Sequence, residues 1–541
     1  MILNQESFIK EKEQWENKGY QIPKYNRALI KKNTQENPIW IHFGAGNIFR
    51  AFHANIAQKL LNEGDIDKGI IVAEGYDYEI IEKINRPNDD YFIRIILKTD
   101  NSIEKNVTGS VVESCILDSE KKGEFARLQK IFASPSLQMT TFTITEKGYC
   151  LFDSTGKYLD AVEKDFHLGP AAPKSYIGKV SSLLYHRYQK GAYPIAMVST
   201  DNCSHNGEAL YQAVSAFAEK WEEAGLAEKG FVNYINNKEK VSFPWSMIDK
   251  ITPRPDKSVE KILEKDGIEY AAPIVTKKNT YAALFVNAEE SEYLVIEDAF
   301  PNGRPPLEHA GVIFTDRETV DKVEKMKVCT CLNPLHTALA VYGCLLGYEK
   351  ISDEMKDGDL RKMAEIIGYR EGLPVVVNPG VIEPEKFIDT VLNVRLPNPF
   401  MPDTPQRIAT DTSQKLSIRF GETIKRYLAE KRELEELKII PLVFAGWLRY
   451  LMGVNDAGEP FMLSPDPLLG MLSPYISSFK IGEIPPDSQI EEKLRGLLKN
   501  EKIWGIDLYQ AGLAQKVCHY FGELAAAKNS VRNTLKRYVR E

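Results

Sequence analysis

The stretch from Lys327 to His336 reads Lys-Val-Cys-Thr-Cys-Leu-Asn-Pro-Leu-His and places an amine, an amide and an imidazole within ten residues. Interconverting an alcohol and a ketone requires a group that exchanges a proton and neutral groups that polarise the oxygen. Lys327 fits the first role, and Asn333 and His336 fit the second. Each also has an ordinary structural explanation, as a solvated lysine, a helix cap and a core histidine. The rest of the chain must decide between the two interpretations.

A glycine turn between a strand and a helix predicts a dinucleotide site in the first part of the chain. Residues 39–43 form an apolar strand pattern, and Gly44-Ala-Gly-Asn-Ile-Phe-Arg50 follows directly, leading into a helical pattern. Gly44 allows the sharp turn, and Gly46 lets a pyrophosphate approach the helix N-terminus. The third glycine of the usual fingerprint is missing, and Arg50 offers a charged donor to phosphate in its place.

The next strand pattern, residues 69–73, ends in Glu74-Gly-Tyr-Asp77. In a dinucleotide fold this position meets the adenosine ribose, where a carboxylate accepts hydrogen bonds from both hydroxyls and repels a 2′-phosphate. NAD is therefore expected rather than NADP. Both Glu74 and Asp77 fit the position, and the spacing does not choose between them.

Further strand patterns follow, and two of them end in polar clusters that contain Glu146 and Asn202. The clusters are Thr145-Glu-Lys-Gly-Tyr149 and Thr200-Asp-Asn-Cys-Ser-His-Asn-Gly207. Ligands of open α/β sheets lie beyond the carboxyl ends of the strands, so contacts to substrate or nicotinamide are expected here, although ordinary turns use the same residue types. The strand patterns cover residues 91–97, 107–112, 139–145, 193–199, 269–275, 280–286 and 293–296.

The pattern changes to long helical periodicity after about residue 316. We therefore predict an α/β Rossmann-type dinucleotide-binding domain with extra strands over residues 1–315, followed by a mostly α-helical substrate and catalytic domain over residues 316–541. The helical patterns cover residues 317–327, 334–348, 353–368, 405–433, 440–452, 488–498 and 507–539.

Composition indicates an ordinary globular protein, for which a small-molecule partner is the default. The 541 residues are 43% hydrophobic and 27% charged, with a net charge of −7 and charges interspersed, so neither nucleic acid nor an anionic membrane surface is an expected partner. The N-terminus lacks a signal-peptide pattern, and the apolar runs are short or interrupted. Seven scattered cysteines favour a reducing, cytoplasmic location, and their spacing does not predict a metal site. A monomer or a small homo-oligomer is expected.

Several segments together resemble the long-chain polyol and sugar-acid dehydrogenases, a family that includes mannitol 2-dehydrogenase, fructuronate reductase and tagaturonate reductase. The similarity extends over about residues 38–530. The matching segments are Gly44–Arg50, Val107-Thr-Gly-Ser-Val111, Thr145–Tyr149, Thr200-Asp-Asn202, Phe243-Pro-Trp-Ser-Met-Ile-Asp249-Lys-Ile-Thr-Pro253, Glu297-Asp-Ala-Phe-Pro-Asn-Gly-Arg-Pro305 and Asp411-Thr-Ser-Gln-Lys415.

The resemblance implies a role for each matching site residue. Lys327 would be the acid/base, Asn333 and Asn202 would hold the reacting oxygen, His336 would bind a substrate hydroxyl, and Glu324 would pass protons to solvent. Asp249 would contact the substrate. The residues implied for NAD are Gly44, Gly46, Asn47, Arg50, Glu74, Asp77 and Glu146.

The spacing of the catalytic residues departs from the family in one respect. The family places five residue steps between its lysine and asparagine, whereas Lys327 and Asn333 are six apart. On a continuous α-helix one extra step rotates a side chain by ~100°. Pro334 suits a first helical position and Asn333 an N-cap, so we expect the helix to begin at Asn333 and a separately wound segment to absorb the extra residue.

The substrate class depends on whether a cation is available. A polyol needs hydroxyl partners, whereas a hexuronate adds a carboxylate that calls for a guanidinium or an amine. Arg395 is the first candidate and Lys415 the second. The sequence is most similar to fructuronate reductases, which reduce D-fructuronate to D-mannonate with NADH; mannitol 2-dehydrogenase and tagaturonate reductase are the alternatives. An NAD(H)-binding regulator or an NAD-retaining epimerase are hypotheses from other classes.

Overall fold

In a computed structural model of the protein, residues 1–255 and 257–540 are described, and the chain divides into two compact units. The first unit comprises Met1–Lys98 and Ser102–Asp321, and the second comprises Thr99–Asn101 and Lys322–Glu541. The short Thr99–Asn101 segment is tied to the second unit by a hydrogen bond from Thr99 Oγ1 to the Val394 carbonyl, 3.1 Å long.

All named strands lie in the first unit. They are β1 Tyr20–Gln21, β2 Trp40–Phe43, β3 Ile70–Glu74, β4 Phe92–Leu97, β5 Ile103–Thr108, β6 Val111–Ile116, β7 Met139–Phe142, β8 Ile195–Ser199, β9 Val241–Ser242, β10 Ser246–Asp249, β11 Ile274–Val275, β12 Tyr281–Ala282, β13 Phe285–Glu289, β14 Tyr293–Glu297 and β15 Ile313–Thr315.

The central sheet has six parallel strands in the order β6-β3-β2-β7-β8-β9. When these six strands are numbered in the order in which they occur along the chain, the sheet order is 3-2-1-4-5-6. This is the order of the Rossmann fold, and its switch point lies between β2 and β7. Successive side chains of a strand point to opposite faces, so Ile41 and Phe43 join one buried cluster whereas Trp40 joins the other. Both faces are covered, as a parallel sheet requires.

Smaller sheets extend the first unit. The order β1-β5-β4-β13 forms a mixed four-stranded sheet, β10-β14-β15 a three-stranded one, and β11-β12 a hairpin-like pair. Of these strands, β4, β11, β12, β13 and β14 fall within or beside predicted strand patterns, whereas β1, β10 and β15 were not predicted.

The α-helices continue through both units. They are α1 Gln5–Lys10, α2 Lys12–Asn17, α3 Arg27–Glu36, α4 Ala54–Glu63, α5 Tyr78–Ile80, α6 Lys122–Phe132, α7 Asp160–Leu168, α8 Tyr176–Gln189, α9 Asn206–Glu223, α10 Phe231–Asn236, α11 Lys257–Lys265, α12 Arg317–Met326, α13 Asn333–Leu346, α14 Ile351–Glu354, α15 Gly358–Glu365, α16 Pro384–Thr390, α17 Pro405–Ile408, α18 Glu422–Ala429, α19 Ile439–Tyr450, α20 Leu469–Ile476, α21 Asp487–Leu498, α22 Glu501–Trp504, α23 Ala514–Ala525 and α24 Ser530–Arg540.

Short π- and 3₁₀-helical segments separate or extend these helices. The π-helical segments are Phe49–His53, Ile81–Asn85, Lys327–Cys331, Ile366–Gly372, Val391–Arg395 and Ser417–Gly421. The 3₁₀ segments are Arg86–Asn88, Glu146–Tyr149, Leu307–Ala310, Leu373–Val375, Thr412–Gln414 and Leu434–Glu436.

The named elements of the second unit are all helical and are joined by loops, and its described residues add one isolated bridge between Val454 and Pro460. Its core is built on α13 and α19, and all twelve residues of α19 are buried. An apolar helix that is buried on every side belongs inside a protein core. The predicted fold class, a Rossmann-type domain followed by a helical domain, is confirmed.

The helical stretch Arg317–Leu346 includes an 18-residue window whose length and composition would suffice for a membrane span. That window is 78% buried inside the protein, which is what a core helix also shows.

Several secondary-structure predictions were wrong in extent, and of the predicted strand 269–275 only Ile274–Val275 is a strand. Residues 107–112 are not one strand, because β5 ends at Thr108 and the chain turns at Gly109 before β6. The 405–433 pattern is divided where Asp411 adopts a positive φ of 54°, and the 507–539 pattern is divided at Asn529, whose φ is 65°. A left-handed residue ends a right-handed helix, and side-chain periodicity does not reveal it.

Candidate active site

The glycine turn has the geometry that its sequence predicts. Gly44 has a φ of +105°, and a Cβ on it would lie 2.3 Å from the Thr143 carbonyl oxygen, so only glycine fits. A Cβ on Gly46 would meet nothing within 4 Å, which means that the space beside this residue is open. Helical hydrogen bonding begins with the Arg50 amide bonding to the Gly46 carbonyl. Asn47 is half-buried at this helix start, which is the part of a helix that binds phosphate, but it is not part of the lining of the cavity described below.

Arg50 lies elsewhere than at the phosphate position expected for it. Its side chain is buried, donates to the Ala283 carbonyl at 2.8 Å, and places its guanidinium carbon 4.9 Å from the centre of the Phe92 ring. Burial lowers the pKa of Arg50 to about 9. The guanidinium therefore joins the start of the helix after the glycine turn to the chain before β13. The expectation that Arg50 replaces the third glycine as a phosphate donor does not match this placement.

Glu74 and Asp77 occupy different positions at the end of β3. Glu74 Oε2 accepts the Ala45 amide at 2.7 Å, and Oε1 accepts the amides of Tyr76 and Asp77 at 2.7 and 3.1 Å. Burial raises the pKa of Glu74 even though these three donors oppose the shift. This carboxylate fixes the glycine turn. Asp77 is held on one side by the Thr276 hydroxyl, 2.6 Å from Oδ2.

A cavity of about 800 Å³ lies beside these residues, within the size range of cofactor sites. It is lined by the glycine turn, by the ends of β3 and β7, and by the segments that follow them. Its lining residues include Gly44, Gly46, Glu74, Tyr76, Asp77, Thr143, Thr145, Lys147, Cys150, Ser175, Tyr176 and Thr280. Glu146 is exposed and is not part of this lining.

The turn after β8 contains the predicted oxygen ligand Asn202, which is exposed, beside the half-buried Asp201. Asp201 accepts hydrogen bonds from the amides of Ile144 and Thr145 and from the Tyr149 hydroxyl. Asp249, the predicted substrate contact, is a buried residue at the end of β10, where it pairs with Tyr293 of β14.

In the second unit, the Lys327–His336 stretch contains a π-helical turn. Helix α12 ends at Met326, Lys327–Cys331 is π-helical, and α13 begins at Asn333. The Leu332 amide bonds to the Lys327 carbonyl at 3.1 Å, the five-residue closure of a π turn. The expectation that a new helix starts at Asn333 after a differently wound segment is confirmed, although Leu332 rather than Asn333 is the cap.

The π turn buries the Lys327 side chain, and Asn333 lies half-buried in the first turn of α13. That first turn is anchored from the side, since the Thr337 hydroxyl donates to the Asn333 carbonyl at 2.9 Å and accepts from Arg419. Glu324 is half-buried in the last turn of α12, three residues before Lys327.

His336, Arg395 and Asp403 interact in the same unit. His336 Nε2 lies 3.4 Å from Asp403 Oδ2, and Arg395 is buried at the end of its π-helical segment. Burial alone would raise the pKa of Asp403, but His336, Arg407 and Arg395 together hold it below its ordinary value. The two predicted site residues His336 and Arg395 therefore both interact with Asp403, a carboxylate that was not predicted.

Lys415 is turned toward its own main chain. Its amine donates to the Thr410 carbonyl, and burial together with the nearby Arg419 lowers its pKa. This contact stabilises the left-handed turn at Asp411, so the geometry supports Arg395 over Lys415 as a cation for a substrate carboxylate. Among the described residues, no group of three or more His, Cys, Asp and Glu side chains is arranged to hold a metal ion.

Asp201 and Asp403 are the site residues that sequence reasoning missed. Asp201 adjoins the predicted Asn202, so its position in the turn was a usable signal. Asp403 lies 67 residues from His336 in the chain, and no local pattern connects them.

Comparison with known proteins gives matches along the whole chain. The family model described as the mannitol dehydrogenase Rossmann domain matches residues 38–309, and the mannitol dehydrogenase C-terminal domain matches residues 319–525. A D-mannonate oxidoreductase of Thermotoga maritima is 50% identical, covering 100% of this chain and 99% of the relative. A D-mannonate oxidoreductase of Escherichia coli is 29% identical over 87% of this chain and 89% of its own.

Solved structures agree with these matches. The Pseudomonas fluorescens mannitol 2-dehydrogenase, a ternary complex with NAD and D-mannitol, is 27% identical with a TM-score of 0.68 and full coverage of both chains. A substrate-free D-sorbitol dehydrogenase, 24% identical with a TM-score of 0.72, covers 92% of this chain and 97% of its own and supports the fold.

Proposed function

Since the chain belongs to the mannitol dehydrogenase family, we propose that it interconverts D-fructuronate and D-mannonate as an NAD-dependent oxidoreductase, with Lys327 as the acid/base. The observation that carries the choice of substrate is the 50% identity to a D-mannonate oxidoreductase over the full length of both chains. Identity at this level along both units is greater than that to the polyol enzymes, which is 27% for the mannitol 2-dehydrogenase.

The first unit fits NAD. The open space beside Gly46, the cavity of about 800 Å³ and the carboxylate of Asp77 provide room for a pyrophosphate and an acceptor for a ribose. We assign the ribose to Asp77 because all three backbone donors near Glu74 already occupy that carboxylate. The bound cofactor supplies the hydride for reduction or accepts it in oxidation.

The residues of the chain supply the proton and hold the substrate. In reduction the Lys327 ammonium donates its proton to the carbonyl oxygen, and in oxidation the neutral amine accepts it back. Asn333 donates a hydrogen bond to that oxygen, which stabilises the developing alkoxide. His336 binds a substrate hydroxyl, and the Arg395 guanidinium pairs with the hexuronate carboxylate. Glu324, one turn before Lys327, connects the amine to solvent.

An NADH oxidation assay with D-fructuronate, D-tagaturonate and D-fructose tests the substrate. We expect the highest kcat/KM with D-fructuronate, and a higher value with either other substrate would replace this proposal with a tagaturonate reductase or a mannitol 2-dehydrogenase.

The Lys327→Ala variant tests the acid/base. Turnover should fall by about 10²–10⁴-fold, the usual contribution of general acid/base catalysis, while NADH binding changes little. Lys325→Ala is the matched control, because Lys325 is an exposed lysine two residues away on the preceding helix. Turnover of Lys327→Ala close to that of Lys325→Ala would exclude the role.

A further inference from the structure

Thr145 has a backbone conformation that side chains of its type rarely adopt. Its φ is 64° and its ψ is 161°, a region populated almost entirely by glycine. Among the positive-φ residues that the structure describes, Thr145 is the one with a β-branched side chain. Such strain persists only where surrounding contacts enforce it, and it commonly marks a functional site.

Asp201 provides those contacts. Its Oδ1 accepts the Thr145 amide at 2.9 Å, and its Oδ2 accepts the Ile144 amide at 2.9 Å. The Tyr149 hydroxyl donates to Oδ2 at 2.5 Å, so both ends of the segment 144–149 are attached to one carboxylate. The Asp201 carbonyl in turn accepts Asn206 Nδ2 at 2.9 Å, which fixes the Asp201 main chain to the start of α9.

The segment that Asp201 holds forms one wall of the cofactor cavity. Thr143, Ile144, Thr145, Lys147 and Gly148 all line this cavity together with the glycine turn. The two walls are in direct contact, since the Thr143 carbonyl occupies the space that a Cβ on Gly44 would need. A change in the path of residues 144–145 therefore changes the shape of the cavity.

We propose that Asp201 is a positioning residue for the cofactor: it holds Thr145 in its strained conformation and so sets the cavity wall opposite the glycine turn. The inference rests on the proposed function, because the cavity is taken to bind NAD. Asp201 also fixes the turn that contains Asn202, so one residue positions both the cavity wall and the predicted oxygen ligand.

Asp201→Asn tests this role because the new amide group would point an N–H at one of the two backbone N–H donors. We expect NADH binding, measured by fluorescence titration without sugar substrate, to weaken by at least about tenfold, as for loss of a hydrogen bond to a charged group. Hydrogen exchange of the peptide covering residues 143–149 should become faster. Asp153→Asn is the matched control, because Asp153 also accepts backbone amides in a turn of this unit but lies outside the cavity lining.

Thr145→Gly separates positioning from general stability. Glycine adopts the required conformation without strain, so adding Thr145→Gly to Asp201→Asn should recover part of the lost affinity. Where Asp201→Asn does not fold, Tyr149→Phe, which removes one of the three donors, should weaken NADH binding by a smaller factor.

Two outcomes distinguish the proposals. Wild-type protein that does not bind NADH would overturn the proposed function itself. If the wild-type protein binds NADH, either of two results would overturn the positioning role alone. The first is that Asp201→Asn and Tyr149→Phe both bind NADH as tightly as the wild type. The second is that adding Thr145→Gly to Asp201→Asn recovers none of the lost affinity.

Discussion

Asp403 Oδ2 lies 3.4 Å from His336 Nε2, close enough for an ion pair but without the geometry of a hydrogen bond. The other Asp403 oxygen contacts the Arg407 guanidinium, and the Asp403 carbonyl accepts the Ile351 amide at 3.0 Å. Asp403 is therefore held through its side chain by α17 and through its main chain by α14, and neither contact involves α13. It limits the positions that the imidazole ring can take.

Replacing Asp403 by Asn should lower kcat/KM for the sugar acid by about 10–100-fold, the range for losing an interaction with a charged group. The loss should be in KM more than in kcat, because His336 is proposed to bind a substrate hydroxyl rather than to transfer the proton. Steady-state kinetics with D-fructuronate measure both. Asp353→Asn removes a surface ion pair with Lys356 and serves as the control. Equal kinetics for the two variants would contradict an orienting role for Asp403.

The π turn at Lys327–Cys331 contains one residue more than an α turn would. Deleting Val328 should let the turn close as α-helix with Lys327 facing the same way, so turnover should stay within about tenfold of wild type. Inserting an alanine after Val328 should rotate Lys327 by ~100° and lower turnover by about 10²–10⁴-fold. NADH titration confirms that each variant keeps an intact first unit. If the insertion variant keeps its turnover and the deletion variant loses it, the π turn does not set the direction of the Lys327 side chain.

Arg395 should distinguish acid from polyol substrates. Arg395→Gln should raise the KM for D-fructuronate by about 10²-fold, since a paired guanidinium is lost, and should change the weaker activity toward D-fructose much less. Arg395→Lys should recover part of the loss. Arg361→Gln, which removes an exposed contact to Asn393 of the same π-helical segment, is the matched control. A proportional loss with both substrates would mean that Arg395 supports the fold of the site and not the recognition of a carboxylate.

Local patterns predicted the parts of the site that depend on neighbouring residues. The Gly44 turn, the carboxylates after β3 and the helix start at Asn333 each follow from a few consecutive residues. Arg50 was misjudged because its partner, the Ala283 carbonyl, is 233 positions away in the chain. The Asp201 and Asp403 contacts are likewise long-range. Hydrogen bonds of this kind depend on the assembled fold, and residue type alone does not reveal them.

The same limit applies to Glu371, a fully buried carboxylate in the helical unit. Its Oε1 accepts the amides of Lys438 and Ile439 at 2.7 and 2.6 Å, and its Oε2 accepts that of Ile440 at 2.8 Å. These amides lie at the start of α19, where main-chain N–H groups have no partner within the helix. The N-cap residue of α19 forms no capping hydrogen bond through its side chain, so Glu371 takes that role. Burial raises the pKa of Glu371 from its ordinary value near 4.5 to about 7, although the three donors oppose this.

This pKa shift predicts that the stability of the helical unit falls as the pH rises. Between about pH 4.5 and 7 the folded state keeps a proton on Glu371 that the unfolded state has released. The contribution of Glu371 to the free energy of unfolding is therefore complete below pH 4.5 and is lost as the pH passes about 7. The full difference is about 3 kcal/mol. Glu371→Gln, which resembles the protonated acid, should remove this slope. Urea unfolding of both proteins at pH 6 and pH 8 tests it, and equal pH dependence in the two proteins would show that Glu371 is already ionised in the fold.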